Sequence, residues 1–285
     1  MKKFWKHTGL ALLYLAVFLL VQMWAGGLFT YGSLFSSLLA SGGRLTPNVY
    51  ENVYAHFWDM MDVVMVLCYI ATFGMLCGLL IAQQGTRGIL PAMGLRKPRS
   101  PEMLWAPMLL GLAAYFAVSA GLSLIPPETP LMQEYIEASS SLTAGRYPFV
   151  EILATVLGAP ILEEIVFRGL IYGNFKKVMP TWVALLAQAV LFGLVHGQLL
   201  WAGFTFLLAL ALGLMDDYFG SIWPCVLLHL CFNAGNYLPL LFELDLTGMV
   251  VLCLAALLVV AIVFLVLVLY RRQGERPRPA NYPFS

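Results

Sequence analysis

Three groups of polar residues stand inside otherwise apolar runs, and their types and spacing suit hydrolysis. In PILEEIVFRG, residues 160–169, Glu163 and Glu164 are adjacent and Arg168 follows. Glu164 and Arg168 are four apart, about 40° around a helix, so they can pair directly. Glu163 is turned by about 100° from Glu164 and faces another direction. The simplest arrangement has Arg168 holding Glu164 while Glu163 points into a cavity. A carboxylate kept from bulk water beside a second carboxylate can act as a general base toward water. For EExxxR by itself, an inert buried ion pair that locks helix packing is the alternative.

The second position is His196, in FGLVHG. Counting from a turn near residue 179, Glu163 lies 16 residues before and His196 17 after. In an antiparallel hairpin those depths nearly coincide, so the two can meet. The third is LHLCFNAG, where His229 and Asn233 are four apart and share a helix face, with Cys231 opposite. Imidazole and carboxamide N–H groups can stabilise the oxyanion of a tetrahedral intermediate. The alternative is an interhelical hydrogen bond, worth about 1 kcal/mol in membrane bundles. A base, a helper and a donor pair on three helices together describe a site that hydrolyses with water.

The elements that must position these residues are membrane helices. The chain has 285 residues, 61% hydrophobic and 11% charged, against about 25% charged in soluble domains. An ionisable residue at the centre of a spanning helix costs about 2.5–3.5 kcal/mol, which makes the few present informative. Runs of about 20 apolar residues predict an all-α, polytopic membrane helical bundle of about eight transmembrane helices. They cover about 9–28, 60–82, 103–125, 149–172, 180–197, 199–216, 221–241 and 247–270. The first run is too long for the apolar core of a cleaved leader. Segments 29–58 and 126–148 read as long outer loops, the second able to hold a short surface helix after its Pro pair.

Lys2, Lys3, Lys6, Arg87, Arg96, Lys97, Arg99, Lys176, Lys177 and the arginines after residue 270 fall on one side of this arrangement. The other side holds Arg44 and Arg146 with Glu51, Glu128, Glu134, Glu137, Glu243 and Asp245. By the positive-inside rule both termini are cytoplasmic, and the polar site is expected towards the cytoplasmic half. His7 and His56 read as solvated, and Asp216–Asp217 as a cytoplasmic turn. The tail from 271 reads as disordered. The five cysteines lie in apolar runs without metal spacing and read as packing residues. A net charge of +1 gives no reason to expect nucleic acid as a partner.

Other membrane-protease chemistries lack their motifs: HExxH, GxSxG and GxGD are all absent. No cofactor is required. Zinc held by His196, His229 and a glutamate, with water in the fourth position, is the mechanistic alternative. A non-catalytic scaffold, immunity or regulatory protein on the same fold is the functional one.

The three groups, together with Phe192 four residues before His196 and the flanking text APILEEIVFRGLIYG and GSIWPCVLLHLCFNA, resemble the three-motif signature of the CPBP family. That family includes the CAAX prenyl proteases of the second type and the bacteriocin-processing and Abi-type proteins. The resemblance covers about residues 150–240. It implies an intramembrane glutamate protease in which Glu163 activates water and His196 is a second base or water-positioning group. It further implies that His229 and Asn233 form the oxyanion site, with Glu164 and Arg168 in support. The implied organisation is N-terminal spans and outer loops over 1–148, a catalytic core over 149–241, a last span over 242–270 and a cytoplasmic tail over 271–285. The expected partners are the lipid bilayer and a peptide or membrane-protein substrate. A leader peptide, a peptide pheromone or a membrane-anchored segment suits a multi-pass protein of a bacterial plasma membrane.

Overall fold

The computed structural model describes residues 1–101, 104–142, 146–238 and scattered positions between 247 and 257. Every regular element among them is helical. In chain order these are α1 (Lys2–Ala40), α2 (Pro47–Asp59), α3 (Met61–Gln84), α4 (Ile89–Ala92), α5 (Trp105–Leu122) and α6 (Pro130–Leu142). A helical rod follows, then α10 (Thr181–Leu194), α11 (Leu199–Phe219) and α12 (Trp223–Gly235). The rod is α7 (Pro148–Ile152), a wide π-type segment (Leu153–Gly158), α8 (Ala159–Glu164), a second π-type segment (Ile165–Tyr172) and α9 (Gly173–Phe175).

Among the described residues four helices, α1, α3, α5 and α11, are long and apolar enough to cross a membrane. The other four expected spans are interrupted, shorter or outside the described residues. The fourth expected span is the rod, interrupted by its two wide segments. Helices α10 and α12 have 14 and 13 residues, about 20 Å at 1.5 Å per residue, short of a hydrocarbon core of about 30 Å. The eighth expected span and the tail lie largely or wholly outside the described residues. The expected outer loop 29–58 is instead helical: α1 continues to Ala40, and α2 forms after Pro47, a residue suited to a first helical turn. The surface helix allowed for in the next connection is α6. Asp216 and Asp217 are not a turn but the last turn of α11.

The rod is the centre of the packing. Phe167, Ile171 and Tyr172 on it are fully buried, as are Leu76 and Leu80 of α3 and Phe192 of α10. Phe167 stands edge-on to Phe18 of α1 and to Phe192 of α10, at 5.7 and 4.9 Å between ring centres. Polar side chains tie the elements where burial would otherwise strand them. Tyr14 donates to Gln83 at 2.6 Å, Gln188 donates to the Ala209 carbonyl at 2.9 Å, and His7 bonds Asn174 at 2.8 Å. His7 is therefore partly buried at a helix contact, contrary to the solvated reading. His56 is exposed on α2 and stacks on Phe29. Asp62, 1% exposed, accepts the backbone N–H of Tyr147 at 2.8 Å and so anchors the start of the rod to α3.

Small residues set two close approaches. A Cβ on Gly169 would run into the backbone of Met93, so only glycine lets the 93–99 segment lie against the rod. A Cβ on Gly111 would meet the Leu228 carbonyl, and one on Gly235 the Tyr115 ring. Glycines at such contacts let membrane helices approach closely, and these two hold α5 against α12. Gly111→Val should force α5 from α12 at a cost of about 1–3 kcal/mol, read as a lower unfolding temperature of the detergent-solubilised protein. An unchanged midpoint would show that the contact yields without cost.

Candidate active site

The Glu163–Glu164 pair sits where α8 meets the second π-type segment, with one carboxylate on each side of the helix surface. Glu164 is fully buried and Arg168 is 1% exposed, with 3.0 Å between Arg168 Nη1 and Glu164 Oε1. The guanidinium lies over the Phe192 ring, 4.4 Å from its centre, a cation–π contact that partly replaces lost water. Among the described residues Arg168 Nε and Nη2 and the second oxygen of Glu164 find no hydrogen-bond partner. Such a pair is strongly coupled: removing either charge leaves the other buried and unpaired.

His229 of α12 reaches the same carboxylate. Its Nδ1 is 2.9 Å from Glu164 Oε1. A carboxylate already held by Arg168 accepts, so Nδ1 carries the hydrogen and, in a neutral ring, Nε2 is the acceptor. Nε2 faces Glu163, 3.9 Å from Oε2. Glu163 is 16% exposed at its side chain, and Oε2 has no hydrogen-bond partner among the described residues. The order Arg168–Glu164–His229–Glu163 thus runs from the buried side of the rod to the cavity wall at Glu163. The ring of His229 is oriented by a buried carboxylate, as in a hydrolase triad, and its outer nitrogen can exchange a proton.

His196 is not inside a helix, as the expected span 180–197 implied, but in the turn after α10. There its Nδ1 donates to the Phe192 carbonyl at 2.7 Å, satisfying one of the open carbonyls of the helix end. Gly197, at φ 74°, takes the left-handed conformation that reverses the chain into α11. The tautomer fixed by Phe192 leaves Nε2 of His196 as acceptor. His196 and Glu163 line one cavity but share no hydrogen bond among the described residues.

Asn233 donates to the Thr155 carbonyl at 2.8 Å, and the local backbone explains why. In the first π-type segment the Ala159 N–H bonds the Ala154 carbonyl, five residues back. The Thr155 carbonyl would then await residue 160, which is proline and has no N–H. The Asn233 carboxamide supplies the missing donor across helices. Its second N–H is left at the cavity wall. The interhelical alternative for Asn233 is thus present in the structure, and it occupies one of its two N–H groups.

The cavity measures about 640 Å³ and has Glu163, His196, His229 and Asn233 on its wall. Sequence reasoning missed three residues around it. Glu151, 6% exposed, accepts from Tyr237 at 2.9 Å, and Tyr237 also contacts Thr155 at 2.9 Å. Glu151 lay inside an expected span, and that was the signal available. The pairing of Pro160 with Thr155 could be recognised only from a wide helix. Among the described residues no three His, Cys, Asp or Glu side chains converge to hold a metal ion. The Nδ1 bonds of His196 and His229 leave Nε2 of each ring open on the cavity side, the same pattern that zinc-ligating histidines use.

The cavity does not extend towards the Lys- and Arg-rich loops, as expected, but away from them. Met65 and Tyr69 come from the start of α3, Ser119 and Leu122 from the end of α5, and Trp201 from the start of α11. A second cavity of about 760 Å³ occupies the opposite end, with Lys6, Arg96, Arg99, Lys176 and Lys177 on its wall. Lys176 is clamped to Asp216 and Asp217 at 2.9 and 2.8 Å. Burial, with Arg96 and Lys6 nearby, pushes the Lys177 ammonium down.

Arg168→Ala should destabilise the protein by about 3–5 kcal/mol, because it strands Glu164. His196→Ala should leave the amount of folded protein near wild type. Arg168→Met combined with Glu164→Gln should recover much of the loss, measured by thermal unfolding in detergent. Equal, normal stability of both single variants would remove the structural role of Arg168.

Comparison with curated proteins and with solved structures gave no match. The family model described as Type II CAAX prenyl endopeptidase Rce1-like matches residues 145–235. That segment begins just before the rod, ends with α12 and holds Glu163, Glu164, Arg168, His196, His229 and Asn233; over it the chain is similar to the Rce1-like type II CAAX prenyl endopeptidases.

Proposed function

We propose that the chain is an intramembrane endopeptidase of the glutamate type, with Glu163 activating water for hydrolysis of a peptide bond. The proposed setting is a bundle of about eight spans with both termini cytoplasmic, in a bacterial plasma membrane. The observation that carries the reading is the position of Glu163. Its carboxylate stands at a cavity wall, 3.9 Å from a histidine nitrogen whose other side is anchored to the Glu164–Arg168 pair. That separation exceeds a hydrogen bond, and one water can bridge such a gap.

Glu163 takes a proton from water, and the oxygen attacks the scissile carbonyl carbon, giving a tetrahedral oxyanion. The second N–H of Asn233 is placed to donate to that oxyanion, and so is Nε2–H of His229 when its ring is protonated. The C–N bond then breaks, and the proton held by Glu163 passes to the leaving amine, directly or through His229. His196 Nε2 positions the water. Glu164 and Arg168 hold His229 and touch no substrate atom.

Purified protein incubated with quenched fluorescent peptides tests this. Glu163→Gln should lower turnover by roughly 100-fold or more with unfolding temperature retained, and strong chelation should leave wild-type turnover unchanged. Turnover lost on chelation and restored by zinc would favour the metal mechanism. Full turnover by a well-folded Glu163→Gln protein would leave the site without its base.

A further inference from the structure

The two cavities lie at opposite ends of the bundle, and their charges differ. No Lys, Arg or Asp lines the Glu163 cavity among the described residues. It follows the rod from Glu163 through Ala159 to Thr155, towards the rod's start, and α6 lies over its mouth. Tyr135 of α6 stands edge-on to Trp201 and Phe204 of α11, at 6.0 and 6.5 Å, while Glu134 and Glu137 of the same helix are exposed. The opposite cavity gathers six lysines and arginines from α1, the 93–99 segment and the rod with its end, together with Asp216 and Asp217. In short loops Lys and Arg mark the cytoplasmic side. At the α6 end the described loops carry Arg44 and Arg146, and Arg146 faces Asp59 at 3.6 Å.

We infer that the substrate enters the Glu163 cavity from the non-cytoplasmic side. Its cleaved segment is then an outward-facing stretch of a translocated or membrane-attached polypeptide, not a tail that remains in the cytoplasm. The inference rests on the protease reading above and narrows its substrate class. The cavity wall fits an extended segment with uncharged side chains at the scissile bond. Tyr69, Tyr115, Tyr135 and Tyr237 stand on this wall, the Tyr237 hydroxyl already donating to Glu151, and among the described lining residues Glu163 is the one carboxylate that a buried substrate charge would meet. At about 640 Å³ the cavity is within the range of ligand sites, about 300–1,000 Å³.

Thiol labelling decides the side. In the full chain with its five cysteines replaced by alanine, single cysteines are placed by Ser119→Cys in the cavity, Glu137→Cys on α6 and Lys97→Cys at the opposite end. Cells are treated with a cationic, membrane-impermeant methanethiosulfonate reagent, intact or after opening. The inference expects Ser119→Cys and Glu137→Cys to react in intact cells and Lys97→Cys to react only after opening. If Ser119→Cys is folded and reacts only after opening, the inference is overturned; Glu137→Cys decides alone if Ser119→Cys does not accumulate. The protease reading fails separately, because detergent exposes both ends and Glu163-dependent turnover there is independent of side.

Discussion

The structure depends on one buried charge cluster. Glu164, wholly out of water, is held by Arg168 at 3.0 Å and by His229 at 2.9 Å, and each of the three would be costly to bury alone. Because Arg168 is four residues along the same helix, the pair forms with the rod itself. Once it exists, it dictates its surroundings: Phe192 must offer its ring to the guanidinium, and α12 must present His229 at the depth of Glu164. The neighbouring Glu163, rotated around the helix, is then the carboxylate left for the cavity. Its chemistry follows from a constraint on the other glutamate.

The backbone adapts to this cluster rather than remaining regular. The rod widens on both sides of the Glu163–Glu164 pair, and wide turns of this kind are frequent at functional sites. Pro160 makes the first of them need an outside donor, and Asn233 provides it, so α12 is tied to the rod at two levels, by His229 and by Asn233. Gly169 serves the opposite end, where the 93–99 segment must lie close to the rod. That segment also clamps the α11–α12 connection, through Arg99 N–H to the Phe219 carbonyl at 2.9 Å and Ser221 to the Arg96 carbonyl at 2.6 Å.

Much of the site could be read before any coordinates, because a charge in an apolar run is rare and helix periodicity is rigid. The separate directions of Glu163 and Glu164 follow from 100° per residue, and the shared face of His229 and Asn233 from a spacing of four. What could not be read depended on where regular helix stops. His196 counted as helical because its neighbours are apolar, yet α10 ends at Leu194 and the histidine closes that end. Residues 29–40 lacked the continuous apolarity of a span but still continue α1. Asp62 and Glu151 fall inside expected spans, and their backbone and tyrosine partners emerge only from the packing. The end towards which the cavity runs is set by the placement of α6 and by how the helices diverge there, and no periodicity in a single helix encodes that.

Over residues 145–235 the chain is similar to type II CAAX prenyl endopeptidases, and the arrangement around Glu163 supports the proposed hydrolysis by a carboxylate-activated water. Charge asymmetry and cavity geometry together direct attention to polypeptides on the outer side. The most direct measurement is the set of new peptide termini in cells that carry the wild-type chain against cells that carry Glu163→Gln at equal abundance, read by mass spectrometry of membranes and medium. The account predicts a terminus, within or beside an apolar segment, that is present with the wild type and absent with the variant. Identical terminus profiles from the two would contradict it.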